Sequence, residues 1–152
     1  MKSAVSTVLI VALFIPTLAM AELGSDKVAY IGGTTKDKVF PTVKKDVKGR
    51  LNTGDDQALM FIPDKKKLSV YTIPYSKIIA IEYGQAVNQF VRLKIHQHYI
   101  TIGYMDNNDQ AQVAIFELGK DVARTILPIL IVRTGIGITY QDEEAKKLAG
   151  VK

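Results

Sequence analysis

Apolar and polar positions alternate through most of the chain from Val28 to Leu118, the period of strands with one face buried. Turn residues cut this stretch into segments. Val28–Ile31 is a short β-type run ended by Gly32-Gly33, and Val47–Thr53 alternates around Gly49 and Arg50 before the turn Asn52-Thr53-Gly54-Asp55. Ala58–Ile62 is closed by Pro63-Asp64, Lys65-Lys66-Lys67 forms a charged hairpin tip, and Leu68–Ile73 is the return strand. Pro74-Tyr75-Ser76-Lys77 breaks it before Ile78–Tyr83, which Gly84 is expected to end. Arg92–Met105 is the longest extended segment. The Asp106-Asn107-Asn108-Asp109 turn joins it to Gln112–Leu118, because Asn and Asp tolerate left-handed backbone angles.

The period changes after Gly119. At 100° per residue, Val122, Ala123, Ile126, Leu127, Ile129 and Leu130 share a broad face, and Lys120, Asp121, Arg124 and Thr125 lie outside it. The spacing predicts an amphipathic helix over Lys120–Thr134 with Gly135 as its stop. Pro128 opposes it, since a mid-helix proline costs about 3 kcal/mol; the helix bends there or part of the run is strand. Ile131 and Val132 fall off the main face and mark a partner surface or a homodimer seam, unless Ile138–Tyr140 folds back over them. Ile138–Tyr140 reads as a short edge strand and Asp142–Leu148 as a last turn of helix. No linker, repeat or low-complexity tract divides the segments, which predicts a single domain.

The first 21 residues read as an address. Lys2 is the positive leader, Ala4–Ile15 the apolar core, Pro16 the helix breaker, and Ala19-Met20-Ala21 the small-x-small cleavage pattern. This apolar run is shorter than the roughly 20 residues of a bilayer-spanning helix, so cleavage before Glu22 is expected. Removing residues 1–21 from the 152 leaves a chain of 131 and lowers the net charge from +5 to +4 with the loss of Lys2. No later apolar run is long enough to cross a membrane as a helix. The expectation is an exported protein, periplasmic or extracellular, with one domain over 22–152 and its core at about 28–140.

Strands followed by one closing amphipathic helix resemble the pleckstrin-homology fold, and three segments carry the resemblance: Lys48–Leu51 (KGRL), Ile73–Gly84 (IPYSKIIAIEYG) and His98–Leu127. They are similar to the first long strand, a central strand–turn–strand and the last hairpin with its helix in bacterial pleckstrin-homology and GRAM-like domains. The chain is also similar to small exported bacterial proteins without assigned function. The resemblance implies a mainly β fold, an antiparallel barrel or sandwich of about seven strands capped by one C-terminal helix. It implies a binding scaffold and no catalytic residues.

Composition removes several chemistries. The chain has no cysteine, which excludes disulfides, thiolate metal sites and a cysteine nucleophile. Its two histidines, His96 and His98, share a strand face, but no third ligand accompanies them, so they read as surface histidines of a basic strand and no metal or cofactor is expected. The Asp106–Asp109 turn is far shorter than a calcium-binding EF-hand loop. Glu82 and Glu117 close strands and read as solvated or ion-paired, and no nucleophile-elbow or phosphate-loop spacing occurs.

Basic residues cluster instead. Lys44, Lys45, Lys48 and Arg50 crowd the first strand region, Lys65–Lys67 crown a hairpin, and Arg92 and Lys94 begin the long strand. Solvated lysines that guard strand edges are one reading, and an anion-binding surface is the other. The expected function is a non-catalytic exported module that binds a protein or peptide through the helix–sheet groove or its strand edges. The alternatives are a binder of anionic lipid or envelope polymer through Lys44, Lys45, Lys48 and Arg50, and a small enzyme with a carboxylate site not yet placed. Nucleic acid is not expected, because aromatic residues do not interleave with the basic clusters.

Overall fold

The computed structural model describes residues 24–34, 39–40, 43, 45–90 and 93–150. The leader over 1–21, Lys44 and Arg92 lie outside the described residues. The strands are β1 (Gly24–Gly33), β2 (Val47–Asn52), β3 (Ala58–Pro63), β4 (Tyr71–Pro74), β5 (Ile78–Phe90), β6 (Leu93–Met105), β7 (Ala111–Leu118) and β8 (Ile138–Tyr140). They form one eight-stranded sheet in the order β4-β3-β2-β1-β7-β6-β5-β8. Helix α1 spans Lys120–Thr134, and α2 spans Glu143–Leu148. The fold is mainly β with a C-terminal helix, and the sheet is mixed and open: every pairing is antiparallel except β5 with β8, and β4 and β8 are its edges.

The alternation read from the sequence is the burial pattern of the strands. In β2, Val47, Gly49 and Leu51 are buried while Lys48 faces solvent; in β7, Gln112, Ala114, Phe116 and Leu118 point inward. The sheet curls over these side chains. Four strands separate β4 from β6 in the sheet order, yet the Tyr71 and Tyr104 hydroxyls share a hydrogen bond of 2.5 Å across the interior. At the centre, Tyr30 packs its ring 5.4–5.6 Å from those of Phe40, Tyr71 and Phe116, and Phe61 lies 5.5 Å from Phe116. Edge-on and tilted rings at these distances are favourable beyond the area they bury.

Helix α1 covers the open side of this core with Ala123, Ile126, Leu127 and Leu130, all buried, and has the bounds expected from the sequence. Pro128 sits on the exposed face, so the intrahelical bond that its missing N–H would have made falls on the wet side of the helix, where its loss costs least. Gly135 ends the helix in the left-handed conformation at φ 70°, its N–H donating to the Ile131 carbonyl at 2.8 Å. Arg133 in the last turn pairs with Asp56 of the β2–β3 turn at 2.5 Å, tying the helix end to the sheet.

Three sequence expectations change. Gly84 does not end β5, which continues to Phe90; Gly84 is buried opposite Tyr99, with the Gln141 side chain laid where a Cβ would stand. Its missing side chain serves close approach instead of a turn. The Leu68–Ile73 strand starts later, at Tyr71, because the lysine tip closes on a Leu68 N–H to Lys65 carbonyl bond of 2.9 Å. In place of an antiparallel barrel or sandwich of about seven strands there is an open mixed sheet of eight, because the expected Ile138–Tyr140 edge strand is present and pairs parallel to β5.

Gly49 shows how tightly β2 and β3 meet the core. A Cβ there would stand 2.4 Å from the Ile62 carbonyl oxygen and 2.8 Å from Phe61 Cζ. Gly49→Ala is therefore expected to destabilise the domain by roughly 1–3 kcal/mol, measured as a lower denaturant midpoint at unchanged slope.

Candidate functional site

The basic residues separate on folding. Lys45 is exposed in the segment before β2, while Lys48 is exposed and Arg50 half-buried on the outward face of β2. Arg50 borders a shallow hollow of about 390 Å³ with Ile62, Pro63 and Asp64. The β2–β3 register brings a second group alongside. The Asp64 N–H donates to the Lys48 carbonyl at 3.0 Å, so the exposed Lys65–Lys67 tip begins beside Lys48. The β2 cluster and the β3–β4 tip thus meet at one end of the β2–β3 pair. Asp46 and Asp64, both exposed, sit among them and dilute the positive field.

Ile131 and Val132 are exposed, at 39% and 82%. The fold-back of Ile138–Tyr140 does not cover them, because that segment pairs with β5 instead.

The histidine expectation is corrected. His98 is buried, 5% exposed, and its Nδ1 shares a 2.7 Å hydrogen bond with the Tyr83 hydroxyl; the His96 side chain lies outside the described residues. The two rings lie nearly parallel, 9° apart. Inward-facing Tyr83 and His98 satisfy one another, which lets both enter the core. Burial raises the Tyr83 pKa, against a lowering from Arg124 and a smaller raising from Tyr140. Tyr83 thus remains a neutral hydroxyl. Among the described residues no group of three histidine or carboxylate side chains could hold a metal. The Asp106 turn is closed by its own carboxylate, which accepts from the Asn108 N–H at 2.8 Å, the Gln110 N–H at 3.0 Å and the Gln112 amide at 2.8 Å.

The feature that sequence reasoning missed lies on the outer face of the sheet. A hollow of about 300 Å³ crosses β1, β7, β6 and β5. Ile31, Ile115 and the Tyr99 ring make it largely apolar, and Glu82, Thr101, Gln85 and Gln141 supply polar groups. Register explains the grouping: Ile115 stands opposite Thr101, Thr101 opposite Glu82, and Tyr99 opposite Gly84. The bare backbone at Gly84 leaves the depression into which Gln141 reaches. The Tyr99 hydroxyl donates to Gln97 Oε1 at 2.8 Å, and Glu117 Oε1 accepts from Gln97 Nε2 at 3.4 Å. Burial, then the Glu117 and Asp46 charges, raises the Tyr99 pKa and keeps its hydroxyl a donor. Glu82 is exposed and Glu117 belongs to this hydrogen-bonded row, an arrangement suited to orienting a ligand through side-chain acceptors and amides. The signal in the sequence was apolar Ile31, Tyr99 and Ile115 at positions that alternation assigns to solvent.

Comparison with family models and with curated proteins finds no match for this chain.

Proposed function

We propose that the chain is an exported, non-catalytic binding module of the pleckstrin-homology-like kind that holds a segment of a protein or peptide. The observation that carries this reading is the outer hollow: three apolar side chains from three strands, Ile31, Tyr99 and Ile115, ringed by carboxylate, amide and hydroxyl groups on a rigid sheet. The scaffold part is supported by two antiparallel meanders, β1–β4 and β5–β7, joined through the β1–β7 pairing, and by the helix covering the core. Export rests on the leader pattern of residues 1–21.

A second reading is favoured by Lys48, Arg50 and the Lys65–Lys67 tip meeting at one end of the β2–β3 pair: contact with anionic lipid or envelope polymer. The two readings differ in salt dependence, because an exposed charged surface is screened and an apolar hollow is not.

Ile115→Asp tests the first reading. The side chain is half-buried on the outer face, so the domain should keep its fold while partner capture drops at least about tenfold, as burying an unpaired carboxylate against an apolar ligand requires. Crosslinking yield from the envelope fraction measures it. Unchanged yield with Ile115→Asp, together with loss in Lys48→Glu/Arg50→Glu, would transfer the function to the basic surface of β2 and the lysine tip.

A further inference from the structure

The sheet ends on a strand unlike its neighbours. β8 has three residues and is the only parallel strand among the described pairings, set against β5 with Ile81 opposite Ile138, Glu82 opposite Thr139 and Tyr83 opposite Tyr140. Ile138 and Tyr140 are half-buried and Thr139 points outward. The Tyr140 ring meets the Tyr83 ring edge-on at 6.3 Å, and the Gln141 N–H donates to the Tyr83 carbonyl at 3.0 Å. Behind it, α2 buries two small side chains, Ala145 and Ala149 flanking its end. Ahead of it stand Gly135, at φ 70°, and Gly137, where a Cβ would meet nothing within 4 Å.

β8 is the shortest strand of the sheet and is preceded by two glycines. It is held by its pairing with β5, the half-buried Ile138 and Tyr140, Gln141 at Gly84, and the buried Ala145 and Ala149 behind it, and short edge elements of this kind are where local opening is favoured. If it lifts, the edge of β5 at Ile81–Tyr83 offers unpaired backbone groups beside an apolar slot, which is what an added strand needs. The slot adjoins the outer hollow, since Glu82, Gly84 and Gln141 border the hollow as well.

We propose that the β5 edge is a strand-addition site for an extended segment of a partner protein, and that β8 with α2 is its built-in occupant. The proposal rests on the reading of the chain as a protein- or peptide-binding module, and it names where the segment docks and what must move. The occupant shows the chemistry that fits. The partner segment runs parallel to β5, with a branched aliphatic residue, a polar residue and an aromatic residue in succession, followed by a free N–H for the Tyr83 carbonyl.

The chain has no cysteine, so a disulfide can be placed without competition. Glu82 and Thr139 are exposed cross-strand partners, and a Glu82→Cys/Thr139→Cys variant would pin β8 to β5 when oxidised. The probe is a labelled synthetic peptide copying residues 136–147, titrated against the full mature chain. The oxidised variant should bind it at least about tenfold more weakly than the same variant reduced. A full-length Ile138→Ser/Tyr140→Ser chain, whose own strand competes less, should bind it at least about tenfold more tightly than the unmodified chain. Equal binding by oxidised and reduced forms, or no binding by any form, would overturn the proposal. If the oxidised form loses the peptide but concentration-dependent dimers take it up when reduced, the occupant is a second copy's β8, and the heterologous partner is ruled out. Envelope crosslinking that falls with Ile115→Asp yet ignores the disulfide would leave the binding module standing and remove the strand-addition site alone.

Discussion

Phe116→Ala is expected to remove roughly 3–5 kcal/mol of stability, the usual cost of deleting a fully buried phenylalanine. Phe116 is wholly buried at the middle of β7 and lies against both Tyr30 and Phe61, rings contributed by β1 and β3. Tyr30 and Phe116 stand opposite one another on the paired strands β1 and β7, and Phe61 meets Phe116 and Tyr30 from β3 across the curl of the sheet. The cavity would open among aromatic side chains held by the backbone of three strands, so little collapse can refill it. Because small domains have only about 5–15 kcal/mol in total, the variant should sit close to its unfolding midpoint at ordinary growth temperature. Urea denaturation followed by tyrosine fluorescence measures the change. A loss below about 1 kcal/mol would mean that the aromatic cluster does not join the sheet.

The second large effect concerns the helix. Leu130→Asp places a carboxylate at a fully buried position of α1, facing the sheet with no cation described against it. An ionised group there must either be protonated at a cost or expel the helix into water. The penalty is expected to be on the order of 4 kcal/mol or more, and release of α1 would also break the Arg133–Asp56 pair and strip the cover from Ile126 and Leu127. The expected result is a chain that binds a hydrophobic dye and has lost its cooperative thermal transition. Asp substituted at Val132, 82% exposed on the same helix, should leave both unchanged and serves as the control.

Much of this architecture was legible in the chain. Alternation located the strands because each has one wet face, and the change of period at Gly119 located α1 to the residue. Local chemistry was also readable where it closed on itself, as in the Asp106 turn. What could not be read depended on register. Gly84 looked like a stop because glycine ends strands more often than it admits a neighbour, and the Gln141 side chain that fills its place lies far along the chain. His98 looked like a surface residue on a basic strand; its burial depends on Tyr83, fifteen residues earlier on the paired strand. The outer hollow follows the same logic. Ile31, Tyr99 and Ile115 are isolated exceptions to alternation until β1, β7 and β6 lie side by side. The join of Lys48 to the Lys65–Lys67 tip likewise required the β2–β3 pairing.

A crosslinking capture from the native envelope fraction, using Glu22–Lys152 as bait at low and at high salt, tests the binding-module reading most directly. The account predicts one protein recovered at both salts from the unmodified chain and lost from Ile115→Asp. Recovery of lipid or polymer at low salt alone, indifferent to Ile115→Asp, would contradict it.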